Sequence, residues 1–186
     1  MPDRWRATTL DGVLAARLTE HADDRGKFIE LWRDSWTAGL PAPHGGPVAM
    51  RQANLSRSRE GVLRGMHFHR RQSDLWVMAE GRALAAVADL RALQPGESPA
   101  VELHELTVGA ALFIPEGVAH GFYARSDMTL VYLVSNEYDG TDEHGFAWND
   151  PDAAIAWPAS PVTLSPRDAS NRPLREVLAR AVGSAD

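Results

Sequence analysis

The sequence predicts an all-β fold in one domain, closed by a short C-terminal helix, and three observations carry that expectation. Apolar residues gather in runs of strand length, several with period-two alternation, and glycine or proline punctuates the gaps. The 186 residues, 44% of them hydrophobic, suffice for one sizeable core and are short for two, so 1–186 reads as a single domain. Only residues 173–182, PLREVLARAV, place Leu174, Val177, Leu178 and Ala181 at helical spacing.

In chain order, residues 11–18 form an apolar-rich strand candidate, and His21 through Gly26 read as a turn. Residues 27–32 alternate and read as a strand, while 35–46, rich in Pro and Gly, read as a loop with one helical turn. On their own, Asp23, Arg25 and Glu30 are solvated charges on that turn and strand. Residues 48–56 alternate so that Gln52 and Asn54 share a face. Amides on an inward face are costly to bury unless something hydrogen-bonds to them, and a polar ligand would do so. Further strands are expected at 75–87, 101–106 and 128–134, the last carrying Tyr132, with Tyr138 and Glu143 on the loop that follows. Residues 148–157 read as turn-rich ahead of the run Leu164 to Asp168.

The chain is organised around residues 61–81, GVLRGMHFHRRQSDLWVMAEG, and their later partner 109–120, GAALFIPEGVAH. In an extended strand His67 and His69 point the same way, and the turns at Gly81 and Pro115/Gly117 fold Asp74 and His120 back toward them. This pattern resembles both signature blocks of the cupin barrel: Gly61, five residues, His67-Phe68-His69, four residues, Asp74, six residues, Gly81; then Gly109, five residues, Pro115-Glu116-Gly117, two residues, His120. Asp74 stands where cupins usually carry Glu, and Ala124 where they often carry Asn. The resemblance implies a cupin jelly-roll barrel.

A narrower resemblance spans nearly the whole chain. The runs DDRGKFIELW, RQANLSRSREGVLRGMHFH, VADLRALQPGES, FIPEGVAHGF, LVYLVSNEYDG, FAWNDPDAAIAWP and LSPRDASNRPL are similar, in order and separation, to the dTDP-4-dehydrorhamnose 3,5-epimerase family. It implies epimerisation at C3, C5 or both of a nucleotide-linked 4-keto-6-deoxyhexose, the nucleotide being dTDP. His67 would be the base, Asp168 its orienting partner and Tyr132 the acid on the opposite face. The substrate-contacting positions would be Arg25, Glu30, Gln52, Asn54, Arg64, His120, Glu143 and Arg167, with Tyr138 as an aromatic neighbour. Read without the family, each of these is a structural or surface residue. The family also implies a homodimer, a nucleotide-sugar substrate, no required cofactor and a place in deoxysugar biosynthesis.

Two departures point elsewhere. Where the family carries a lysine close to the keto oxygen, this chain has Asp74, and His69 replaces a residue that is not a metal ligand. Together they restore the metal-ligand pattern His67, His69, Asp74 and His120, a set suited to a divalent transition ion that could polarise the keto oxygen. A metal-bound His67 has no lone pair left for proton abstraction, so the four-residue site competes with the family base. The alternatives are therefore a metal-dependent cupin oxygenase or metal-assisted isomerase on a related sugar, a non-catalytic sugar-nucleotide binder, or a His69 and Asp74 that pair with each other or with Arg70 and Arg71. Loss of the lysine also predicts changed regiochemistry or a different sugar.

Composition bounds the rest. The absence of cysteine excludes disulfides and thiolate-held metal. No run has the length of a membrane span and the start lacks a signal-peptide core, so a cytoplasmic protein is expected. A net charge of −6 argues against a nucleic-acid or membrane surface. Lys27 is the lone lysine among 19 basic residues, a bias that suits forked phosphate contacts but is better explained by genome composition.

Overall fold

The computed structural model describes residues 5–37, 39–40, 48–158 and 161–183. Strands β1 (Arg6–Ala7), β2 (Leu14–Arg17), β3 (Glu20–Asp23) and β4 (Gly26–Ile29) precede a helical turn α1 (Asp34–Thr37). Then come β5 (Gln52–Ser58), β6 (Leu63–Phe68), β7 (Asp74–Glu80), β8 (Arg82–Asp89), β9 (Ala100–Thr107), β10 (Ala110–Ile114), β11 (Val118–Ala124) and β12 (Met128–Val134). The chain closes with a two-residue strand β13 (His144–Gly145) and helices α2 (Pro166–Ala169) and α3 (Leu174–Gly183). One sheet runs β1-β2-β10-β7-β12-β5 and faces a second ordered β13-β6-β11-β8-β9. Every pairing within these sheets is antiparallel, giving the all-β jelly-roll sandwich of the cupins.

Period-two geometry sorts the side chains into three apolar layers. Between the sheets lie Trp76, Met78, Leu112, Ile114 and Leu130 from one wall and Val87, Val118 and Phe122 from the other. Their neighbours Leu75, Val77, Phe113 and Leu133 point outward, where Trp5, Trp36 and Val48 cover them. Met66, Phe68 and Ala119 point outward from the second sheet and are covered by Phe146, Leu174 and Leu178. Because both faces of the central strands are covered, β7, β8 and β11 read as continuous apolar runs rather than clean alternations. Burying a leucine such as Leu174 contributes about 2 kcal/mol.

Several boundaries differ from expectation. The segment expected as a turn, His21 to Gly26, is mostly hairpin: β3 pairs β4, and only Asp24 and Arg25 make the bend. The strand expected at 27–32 stops at Ile29, and the one expected from 48 begins at Gln52. The helical turn expected within 35–46 is α1, and residues 38 and 41–46 of that loop lie outside the described residues. The expected C-terminal helix is α3. No helix among the described residues is long and apolar enough to cross a membrane.

Candidate active site

The apolar filling stops partway along the sandwich, and at that end the inward positions turn polar. They line an open cavity of about 320 Å³, within the range of small-molecule sites. Gln52, Asn54, Asp74, Trp76 and Tyr132 come from the six-stranded wall, and Arg64, His67 and His120 from the opposite one. His69, one residue past β6, completes the floor, while Tyr138, Glu143 and Arg167 stand on the segments bordering it.

His67 reaches the cavity because β6 and β11 approach unusually closely. A Cβ on Gly65 would lie 2.6 Å from the Gly121 Cα, and one on Gly121 would lie 2.8 Å from the Arg64 carbonyl oxygen. Gly65 also has φ of 128°, a conformation that favours glycine. The pairing shifts register there, immediately beside the cross-strand pair His67 and His120.

His67 Nε2 lies 2.6 Å from Asp168 Oδ1. Asp168 is buried, and the Ser165 hydroxyl accepts its backbone N–H at 3.1 Å, as expected at the start of a short helix with Pro166 at its first position. Burial alone would raise the Asp168 carboxyl. Hydrogen bonding and the charge of His67, with donors from Ser165 and the Gly65 backbone, outweigh it and hold the group below the ordinary carboxylate range. As a carboxylate, Asp168 accepts from Nε2–H, which leaves Nδ1 of His67 as the lone-pair nitrogen.

His120 has a different environment. Its Nδ1 lies 3.2 Å from the Val118 carbonyl, and its Nε2 faces Asp74 Oδ2 at 3.8 Å, beyond hydrogen-bond range. Burial pushes its pKa down to about 4; the Asp74 charge opposes that shift, and His69 and His67 add to it. Asp74, also buried, accepts from the Gln72 amide at 2.9 Å and the Trp76 indole at 3.2 Å. His69 donates Nδ1–H to the Asp142 carbonyl at 2.8 Å, and the Asp142 carboxylate is held in turn by the backbone N–H groups of Arg70 and Arg71, each at 3.0 Å. One atom each of His69, Asp74 and His120 lie within 4.8 Å of one another.

On the other wall, burial raises the Tyr132 pKa, the charges of Asp74 and Glu143 raise it further, and Arg64 opposes them, so the phenol stays protonated at neutral pH. Tyr132 pairs across the sheet with Asn54 and Trp76. The Gln52 amide donates to Asn54 at 2.8 Å and accepts the Tyr138 backbone N–H at 2.9 Å, tying the loop to β5 while the Tyr138 ring remains exposed. Arg167 pairs with Glu143 at 2.8 Å, and Arg64 donates to the Ser58 hydroxyl at 3.1 Å.

Two expectations are corrected. The four-residue metal set is not assembled, because His67 is engaged by Asp168 and, among the described residues, the cluster contains only His69, Asp74 and His120. Nor do Arg70 and Arg71 neutralise Asp74: the Arg71 side chain pairs with Asp139 at 2.7 Å and the Arg70 backbone serves Asp142. Arg25 and Glu30 do not line this cavity. Arg25 sits 90% exposed on the β3–β4 hairpin and pairs with Asp23, and Glu30 pairs with Arg33. Sequence reasoning missed Trp76, Asp142 and Ser165. For Ser165 a signal existed, a Ser-Pro step ahead of Asp168; Asp142 acts on His69 through its backbone carbonyl, which leaves no mark in sequence.

The model of the dTDP-4-dehydrorhamnose 3,5-epimerase family matches residues 7–176. The chain is 37% identical over 172 residues to a dTDP-4-dehydrorhamnose 3-epimerase of Streptomyces niveus, covering 89% of this chain and 81% of that one. It is 35% identical to a dTDP-4-dehydrorhamnose 3,5-epimerase of Methanothermobacter thermautotrophicus, covering 93% and 95%. Among solved structures it is similar to NovW, a 4-keto-6-deoxy sugar epimerase from the novobiocin gene cluster of Streptomyces spheroides, with a TM-score of 0.81, 36% identity and coverage of 97% and 90%.

Proposed function

The chain belongs to the dTDP-4-dehydrorhamnose 3,5-epimerase family, and from that premise we propose how its own residues carry out the reaction. It is an isomerase that inverts C3, C5 or both of a nucleotide-linked 4-keto-6-deoxyhexose. The C–H bonds at C3 and C5 flank the C4 carbonyl, so removing either proton sends the bonding pair into an enolate. Nδ1 of His67 takes the proton, with Asp168 holding the imidazole in the tautomer that leaves this nitrogen bare. The Tyr132 hydroxyl returns a proton to the same carbon from the other side, and the carbonyl re-forms. His67 then loses its proton to water and Tyr132 regains one, which resets the site.

The observation that carries this reading is that His67 and Tyr132 stand on opposite sheets and line one cavity. A sugar lying between them presents one face to each, the arrangement that inversion requires. Arg64 and Arg167 supply forked donors for the diphosphate, and Gln52, Asn54 and the Tyr138 ring flank the nucleotide. The nucleotide is dTDP in this reading, and these steps call for no organic cofactor. Among the described residues the β3–β4 hairpin pairs with no other strand and leaves Phe28 62% exposed, which supports a homodimer in which the hairpin seats against a second copy and brings Arg25 and Glu30 to that copy's cavity.

Proton NMR of dTDP-4-keto-6-deoxyglucose in deuterium oxide tests the proposal. Deuterium should enter C3, C5 or both, and His67→Ala should slow its entry by about 10²–10⁴-fold. Undiminished exchange in that variant would overturn the assignment of the base. Tyr132→Phe should still exchange but lose inversion.

A further inference from the structure

Three buried side chains of the cavity are not used by the proton transfers: His69, Asp74 and His120, each no more than 6% exposed. They come from β7 on one sheet, β11 on the other and the end of β6, so the whole fold brings them together. We propose that they bind a divalent transition-metal ion on the cavity floor, with its open positions toward the C4 oxygen of the 4-keto sugar.

Hydrogen bonding fixes which atoms face inward. Both imidazoles direct Nδ1 at a backbone carbonyl, of Asp142 at 2.8 Å and of Val118 at 3.2 Å. Each therefore keeps its Nε2 lone pair for the centre of the cluster, the outer support that metal-bound histidines ordinarily receive. His120 Nε2 then confronts Asp74 Oδ2 at 3.8 Å with no proton between them, and two electron-rich atoms so placed repel unless a cation lies between. That separation is close to the roughly 3.4 Å edge of a tetrahedron with metal–ligand bonds near 2.1 Å.

Charge points the same way. Asp74 is buried, yet its hydrogen-bond donors are the neutral Gln72 amide and Trp76 indole, and the nearby Arg71 guanidinium is turned to Asp139. A buried carboxylate held only by neutral donors is electrostatically incomplete. Two imidazoles and one carboxylate suit iron, manganese, cobalt, nickel or zinc, and three protein ligands leave positions open for substrate, as in catalytic rather than structural sites. When bound, the ion would supply Lewis acidity to the enolate oxygen. His67 stays outside the set with Nδ1 free, so base and ion coexist.

This inference rests on the epimerase reading for its substrate but not for its binding site, and the two are tested separately. Protein dialysed against chelator is titrated with Co²⁺, followed by visible absorption, metal content and melting temperature. One ion per chain is expected, with a rise in melting temperature because binding favours the native state. Asp74→Asn and His120→Asn should weaken binding by more than about 100-fold, while His67→Ala should bind as the wild type does. Absence of stoichiometric Co²⁺ in the wild type, or its loss in His67→Ala, would overturn the proposal whether or not the other variants fold. Deuterium exchange on the chelated protein is read in parallel. Exchange as fast without the ion as with it would overturn the ion's place at the C4 oxygen, whatever the titration gives, and leave the epimerase standing; stoichiometric binding with no exchange in either the loaded or the chelated protein would leave the metal site standing and sink the epimerase.

Discussion

The cavity contains two histidine–carboxylate pairs built from the same residue types, and they differ in almost everything that matters. Asp168 meets His67 at 2.6 Å and fixes its tautomer, whereas Asp74 stands 3.8 Å from His120 and spends its oxygens on Gln72 and Trp76. The difference originates in the backbone. Asp168 opens a short helix whose Ser165 cap delivers the carboxylate end-on to the ring. Asp74 begins a strand and shares its inward face with Trp76, which competes for it. A carboxylate beside a histidine thus orients a base in one place and leaves an electron-rich gap in the other. One ångström and one tautomer decide which.

The first pair can be broken most severely with Asp168→Asn. An amide donating to Nε2 would flip the imidazole so that Nδ1 carries the proton, removing the base without removing the ring. Deuterium exchange should fall by about 10²–10⁴-fold, close to the loss in His67→Ala, with the substrate's KM little changed.

The second pair is sharpened by pH. His120 titrates near 4 in the folded chain against an ordinary 6.5, so between those values the unfolded chain binds more protons. In protein dialysed against chelator, stability should therefore fall as pH drops through that window, by roughly 3 kcal/mol for this group. His120→Asn should flatten that slope in melts run from pH 7 to 4. Asp168 behaves differently. Its carboxyl is held below the ordinary 3.8, so its contribution is complete above that value and is lost only as pH falls through the lower folded value.

The smallest effect is expected where neither pair is touched. Arg25→Ala removes a guanidinium paired only with exposed Asp23, so the melting temperature should not move. If the hairpin serves a second copy's cavity, KM rises about tenfold while kcat holds. An unchanged KM would confine substrate recognition to the residues lining each chain's own cavity.

Much of the sandwich could be read from the sequence, because strand periodicity depends on local residue order. The alternation that turns Gln52 and Asn54 inward is visible in seven residues, and 128–134 is the strand expected there. The pairing of His67 with Asp168 was available only through family resemblance, since spacing says nothing about side chains 101 residues apart. Resemblance also assigned Arg25 and Glu30 to the substrate, and neither lines the cavity of its own chain. The metal-ligand pattern placed three residues together correctly and the fourth wrongly. His67 satisfies the same spacing, and only the docking of α2 shows that another carboxylate had claimed it.

That docking bears on the order of synthesis. Every wall of the cavity is translated before residue 145, but the group that prepares His67 for proton abstraction lies on α2, and the residues that shelter Met66 and Phe68 include Leu174 and Leu178 on α3. A ribosome that stops short of α2 releases a chain with both sheets encoded, its base unset and the Arg167 donor missing. Such a fragment also exposes the apolar outer face of β6, the kind of surface that chaperones and proteases select for. Catalytic competence and concealment from quality control thus arrive together, with α2 and α3.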